Sequence, residues 1–206
     1  MAFYGDIFRA NIEEGRPSDE ELLEIAREAG LTEAIEELAG PGGLEVIAKA
    51  VGKQSLRQMI NQLGRYFADG DLRALVRSRL EAVVDSDTRV IVAHSMGTVV
   101  AYEALAAHPE WQVQTLLTIG SPLGNDWVFT GLRPAPAGGM GKWPGPITSW
   151  VNVASVGDPA IDEPRLANRF GNRVTDLGVD NGHRAHDAEP YLNAPVTGRA
   201  LAAALG

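Results

Sequence analysis

Cysteine is absent from the 206 residues, which excludes disulfides, a thiolate nucleophile and Cys-ligated zinc or iron–sulfur centres. Basic side chains are the minority: 18 Lys and Arg stand against 27 Asp and Glu, for a formal net charge of −9. Sequence-independent binding to nucleic-acid phosphates or anionic lipid rests on clustered cations, so no nucleic-acid partner is expected. The expected partners are a small-molecule or acyl substrate, another protein or a second copy of the chain. Long hydrophobic runs are also missing, and no window approaches the roughly 18 apolar residues of a membrane span. Residues 1–6 carry neither a basic n-region nor an apolar h-region, so a cytoplasmic location is the expectation. What is present suffices for a core: 45% of the residues are hydrophobic and 22% charged, the balance of a globular chain rather than a disordered one. One domain spanning 1–206 is expected.

The first third reads as a block of short helices. Ser18 and Glu21 form a capping-box signal, and helices are expected over residues 19–29, 32–39, 44–51 and 55–67, broken by Gly30 and by Gly40-Pro41-Gly42-Gly43. Residues 18–67 therefore form a helical insertion, either a cover over a site or outer-layer packing. From Leu72 the pattern changes. A helix is expected over 72–84, strands over 89–93, 113–119, 150–154 and 173–177, and a helix over 97–107. Strands separated by helices and apolar on both faces predict an α/β fold with a mostly parallel sheet covered on both sides. The Gly/Pro-rich stretch 131–146 can propagate neither helix nor ladder. It is either a surface excursion or a loop bordering a substrate site.

Val90-Ile91-Val92-Ala93-His94-Ser95-Met96-Gly97 carries the clearest chemistry. An apolar strand runs into a small-X-Ser-X-small turn and then into a helix. A nucleophile elbow needs small residues two before and two after the serine, because the strained turn brings strand and helix backbones together. Ala93 and Gly97 meet that need. Ser95 would project from the sheet at a helix N-terminus, where backbone N–H groups can stabilise an oxyanion. The bland alternative is a serine that merely caps the helix.

An acid belongs just beyond a later strand, and Val153-Ala154-Ser155-Val156-Gly157-Asp158-Pro159 supplies Asp158, with Asp162 and Glu163 as substitutes. Such a carboxylate would hold an imidazole in one tautomer and stabilise the imidazolium. Of the four histidines, His94 stands on the elbow itself and would point away from an upward Ser95, and His108 reads as a helix-end residue. His183 and His186 follow the last expected strand, and spacing does not choose between them. With Asp180 and Asp187 nearby they also permit a metal pair, but no third ligand cluster is visible.

The arrangement resembles the α/β-hydrolase superfamily, and within it the lipase-like serine hydrolases of bacteria. The resemblance rests on Ala93-His94-Ser95-Met96-Gly97 with Thr98-Val99-Val100-Ala101-Tyr102, on Gly120-Ser121-Pro122-Leu123-Gly124, on Trp150-Val151-Asn152-Val153 leading to Gly157-Asp158, and on Ala185-His186-Asp187 leading to Tyr191-Leu192. It covers roughly residues 89–206. It implies a three-layer α/β-hydrolase-like fold, Ser95 as nucleophile, Asp158 as orienting acid, His186 as base and Met96 as one oxyanion N–H, with no cofactor or metal. Ala93 stands where Gly is commonest. The His-Gly strand end that usually donates the second oxyanion N–H has no counterpart before the elbow, and Phe3-Tyr4-Gly5-Asp6 resembles the strand that follows it. A strand at residues 2–4 beside the elbow strand would make Gly5 or Asp6 the replacement donor. The activity implied is cleavage of an ester or thioester through an acyl-enzyme, weak if the oxyanion hole is half-formed. Acyl transfer by the same triad and a non-catalytic binding protein on a hydrolase scaffold are the alternatives.

Overall fold

The computed structural model describes residues 53–206. The chain divides into two compact units, residues 1–79 and 80–206. The expected helices over 19–29, 32–39 and 44–51, the strand at residues 2–4 and most of the 18–67 insertion lie outside the described residues.

Two helices come first, α1 (Lys53–Ala68) and α2 (Gly70–Glu81). The second starts earlier than its apolar pattern suggests because Asp69 caps it: Asp69 Oδ1 accepts from the N–H groups of Asp71 and Leu72. It also stops short of the expected residue 84, since Val83 and Val84 both turn back to the Leu80 carbonyl. Asp85, Asp87 and Thr88 close the following turn, with Thr88 Oγ1 donating to Asp85 Oδ1.

The second unit contains β1 (Val90–His94), α3 (Met96–Ala107), β2 (Thr115–Ile119), α4 (Asp126–Gly131), β3 (Ser149–Ser155), α5 (Ala167–Phe170), β4 (Val174–Val179), α6 (Ala188–Asn193) and α7 (Pro195–Leu205). The four strands form one sheet in the order β1-β2-β3-β4, every pair parallel. This is the α/β class, as the alternation of strand and helix patterns implies. All strands end at one edge, which gathers His94, Ile119, Ser155 and Val179.

The register sorts the side chains. On one face, Trp150 donates from Nε1 to Thr118 Oγ1, Thr118 Oγ1 donates to Asn152 Oδ1, and the rings of Tyr102 and Phe170 pack at 6.0 and 4.8 Å from Trp150. On the other, Leu117, Ile119, Val153 and Tyr191 form a core under Val196, Ala200 and Leu201 of α7. All five residues of β2 are buried, and Leu116, Leu117 and Ile119 each contribute about 1.5–3 kcal/mol by leaving water. The expectation of strands apolar on both faces fits β2. It is less true of β1, where Val92 is 40% exposed, and of β4, which buries only one of its six residues; both stand at an edge of the described sheet.

The second half of the 131–146 loop is anchored along α3, toward its C-terminal end. Tyr102 Oη donates to the Lys142 carbonyl, Gly145 lies against the Leu105 carbonyl, and Thr148 N–H bonds Gln114 just before β2. Its anchored part therefore follows α3 down to the edge where the strands begin. Among the described residues no helix is long and apolar enough to cross a membrane.

Candidate active site

Ser95 joins β1 to α3 with φ 53° and ψ −131°, and it alone among the described non-glycine residues has a positive φ. Such a backbone costs of order 1–3 kcal/mol and persists only where its surroundings over-determine it. They do so here. Ser95 N–H donates to the Ile119 carbonyl of the neighbouring strand, and the Ser95 carbonyl accepts from both Thr98 N–H and Thr98 Oγ1. Thr98 Oγ1 in turn lies 2.9 Å from Ser121 Oγ, both buried. The Ser95 side chain caps no helical N–H, which removes the capping alternative. It meets His186 instead.

The Ser95 Oγ to His186 Nε2 distance is 2.9 Å, and His186 Nδ1 lies 2.9 and 3.1 Å from the two carboxylate oxygens of Asp158. A carboxylate only accepts, so Nδ1 carries the imidazole proton and Nε2 is left to accept from the serine. The Asp158 side chain is 0% exposed and that of His186 22%; the carboxylate is shielded while the imidazole can be reached. Asp158 follows β3 because the chain turns at once after Ser155, with Asp158 N–H returning to the Ser155 carbonyl. Its Oδ1 also accepts from Ala160 N–H at 2.9 Å, and its Oδ2 accepts from Tyr191 Oη at 2.6 Å.

The structure thus brings together Ser95, Asp158 and His186, three residues singled out in the sequence, and separates them from the substitutes. His183 lies exposed in the short turn Gly182–Arg184. Asp162 contacts Asn125 through its backbone, and burial, with nearby Asp126 adding, raises its carboxyl above the ordinary value. Glu163 accepts from Arg165 N–H and Asn168 Nδ2. Both ring nitrogens of His186 are engaged, which leaves none for a metal, and among the described residues no group of three or more His, Asp or Glu side chains could hold one. Met96 opens α3 and is buried; as the first helical residue its N–H has no intrahelical acceptor. Gly5 and Asp6, the candidates for a second oxyanion donor, lie outside the described residues.

Two contributors have no local sequence signal. His94 makes no bond to Ser95; its Nε2–H donates to the His186 carbonyl at 2.8 Å, and its ring lies 4.9 Å from that of His186. Burial, with neighbouring His186 adding, lowers its pKa. Tyr191, which entered the sequence reading only as a landmark after His186, bridges Asp158 and the end of β3. Gly120, at φ 56°, admits both rings: a Cβ there would stand 3.2 Å from His94 and from Tyr191. Comparison of the full chain with protein families, with curated proteins and with solved structures gives no match.

Proposed function

We propose that this protein is a serine hydrolase cleaving a carboxylic ester or thioester through an acyl-enzyme on Ser95, built on a three-layer α/β-hydrolase-like fold. The observation that carries this reading is the unbroken hydrogen-bonded chain from Ser95 Oγ through both nitrogens of His186 to buried Asp158, set on a strained strand-to-helix turn. The parallel sheet and the chain order serine, acid, histidine support the fold assignment.

In this reaction Ser95 Oγ attacks the substrate carbonyl as His186 Nε2 takes its proton. Asp158 stabilises the imidazolium through Nδ1–H, and the Met96 N–H, aided by the positive end of α3, meets the oxyanion. His186 then protonates the departing alkoxide or thiolate. A water molecule, deprotonated by the same imidazole, releases the acid and restores the serine.

A fluorophosphonate probe tests the reading directly. Between pH 6 and 9 it labels the wild-type protein covalently on Ser95, and Ser95→Ala abolishes the label. No labelling across that range overturns the proposal and favours a binding protein on the same scaffold. Product analysis with a short-chain ester, with and without an added alcohol or amine, separates hydrolysis from acyl transfer.

A further inference from the structure

We propose that Tyr191 is a positioning residue of this site, its hydroxyl holding the Asp158 carboxylate in the orientation that aligns His186; the inference rests on the hydrolase reading of Ser95, His186 and Asp158.

Tyr191 is fully buried in the core formed by Leu117, Ile119 and Val153, so its ring is fixed by packing on α6. Its oxygen faces two groups. Ser155 N–H, at 2.8 Å, can only donate, so Tyr191 Oη accepts there and its own proton goes to Asp158 Oδ2 at 2.6 Å. Burial, together with the Asp158 carboxylate, pushes the Tyr191 hydroxyl well above its ordinary pKa; it stays protonated and remains a donor at any working pH.

The carboxylate is thereby held at both oxygens. Ala160 N–H fixes Oδ1 and Tyr191 fixes Oδ2, which leaves the carboxylate little freedom to rotate away from His186 Nδ1. The tyrosine lies 33 residues from Asp158 but only a few beyond His186. One short helix therefore ties the acid to the chain segment that carries the base.

The test is Tyr191→Phe, which keeps the ring in the core and removes the hydroxyl. Tyr102→Phe is the control, since that buried hydroxyl serves only the Lys142 carbonyl. Tyr191→Phe should slow fluorophosphonate labelling and kcat by about tenfold, the lower end of what partners of metal-bound histidines contribute, with KM changed less than about twofold. In an Asp158→Asn background the same substitution should add almost nothing, since it acts through Asp158. Tyr102→Phe should leave the rate unchanged. Equal slowing of the wild-type and Asp158→Asn backgrounds overturns the positioning role. If the wild-type protein resists labelling, the hydrolase reading has failed. The low-field NMR resonance of the His186 Nδ1 proton then judges Tyr191 alone: it shifts in Tyr191→Phe if the hydroxyl positions the acid, and stays put if it does not.

Discussion

Among individual residues, the acid is the sharpest point of comparison, because three carboxylates compete within a short stretch. Only Asp158 reaches an imidazole, whereas Asp162 sits beside Asp126 and Glu163 faces Arg165 and Asn168. Asp158→Asn should reduce turnover by about 10⁴-fold, as when the orienting acid of a serine protease becomes an amide and selects the wrong imidazole tautomer. Asp162→Asn should stay within about threefold of wild type, the range left to a carboxylate that touches none of the reacting groups. Steady-state kinetics of both variants on one short-chain ester decides the matter, and equal losses would remove Asp158 from the assigned role. The sequence displayed all three carboxylates after an apolar run. Burial and distance distinguished them.

Among elements, α3 carries the largest burden: it opens at the elbow, buries Tyr102 against Trp150 and receives the 131–146 loop near its far end. Gly145, at φ 50°, packs directly against the helix, and a Cβ there would stand 2.0 Å from the Leu105 carbonyl oxygen. Gly145→Ala should therefore destabilise by about 2 kcal/mol or more, combining overpacking with strain, and lower the melting temperature by about 4–8 °C. Gly198, inside α7 with nothing within 4 Å of an added Cβ, offers the opposite case. Gly198→Ala should stabilise by about 0.5–1 kcal/mol, the helix penalty of glycine. Thermal unfolding of the two variants side by side tests the contrast. The helices α4, α6 and α7 and the four-residue α5 were not legible in the sequence. The first two are six-residue turns that packing stabilises more than propensity does, although Pro195 at the start of α7 is a start signal that could have been read.

For the whole molecule, two histidines give stability opposite dependences on pH. Burial and the neighbouring His186 lower the pKa of His94, so the folded state binds fewer protons than the unfolded state once pH drops below the unfolded histidine value of about 6.5. Stability due to His94 is therefore present above that pH and declines on acidification. His108 is opposed by its burial but lies against the carboxylates of Glu110 and Glu81, which together raise its pKa. Its contribution is present below about pH 6.5 and fades as pH rises through the elevated value. Urea midpoints between pH 5 and 8 should fall less steeply toward acid in His94→Gln than in wild type. In His108→Gln the loss of stability should be confined to the acid half of the range, and small, because the pair is partly exposed. Reversed trends would contradict the environments assigned to the two rings.

The sequence by itself determined the alternation of strands and helices, the strand-Ser95-helix turn, the carboxylate after β3 and the placing of the two candidate histidines, His183 and His186, in the segment after β4. Each is a local matter: apolar periodicity selects the element, and small side chains at Ala93 and Gly97 permit the turn. Tertiary structure decided what local patterns cannot encode. His186 rather than His183 meets a serine 91 residues away, because the sheet edge and the turn Gly182–Arg184 present one ring inward and the other to solvent. Tyr191 and His94 join the site for the same reason: their partners are 33 and 92 residues distant, and only the parallel register that brings the ends of β1, β2, β3 and β4 to one edge places those polar atoms within a hydrogen bond of one another.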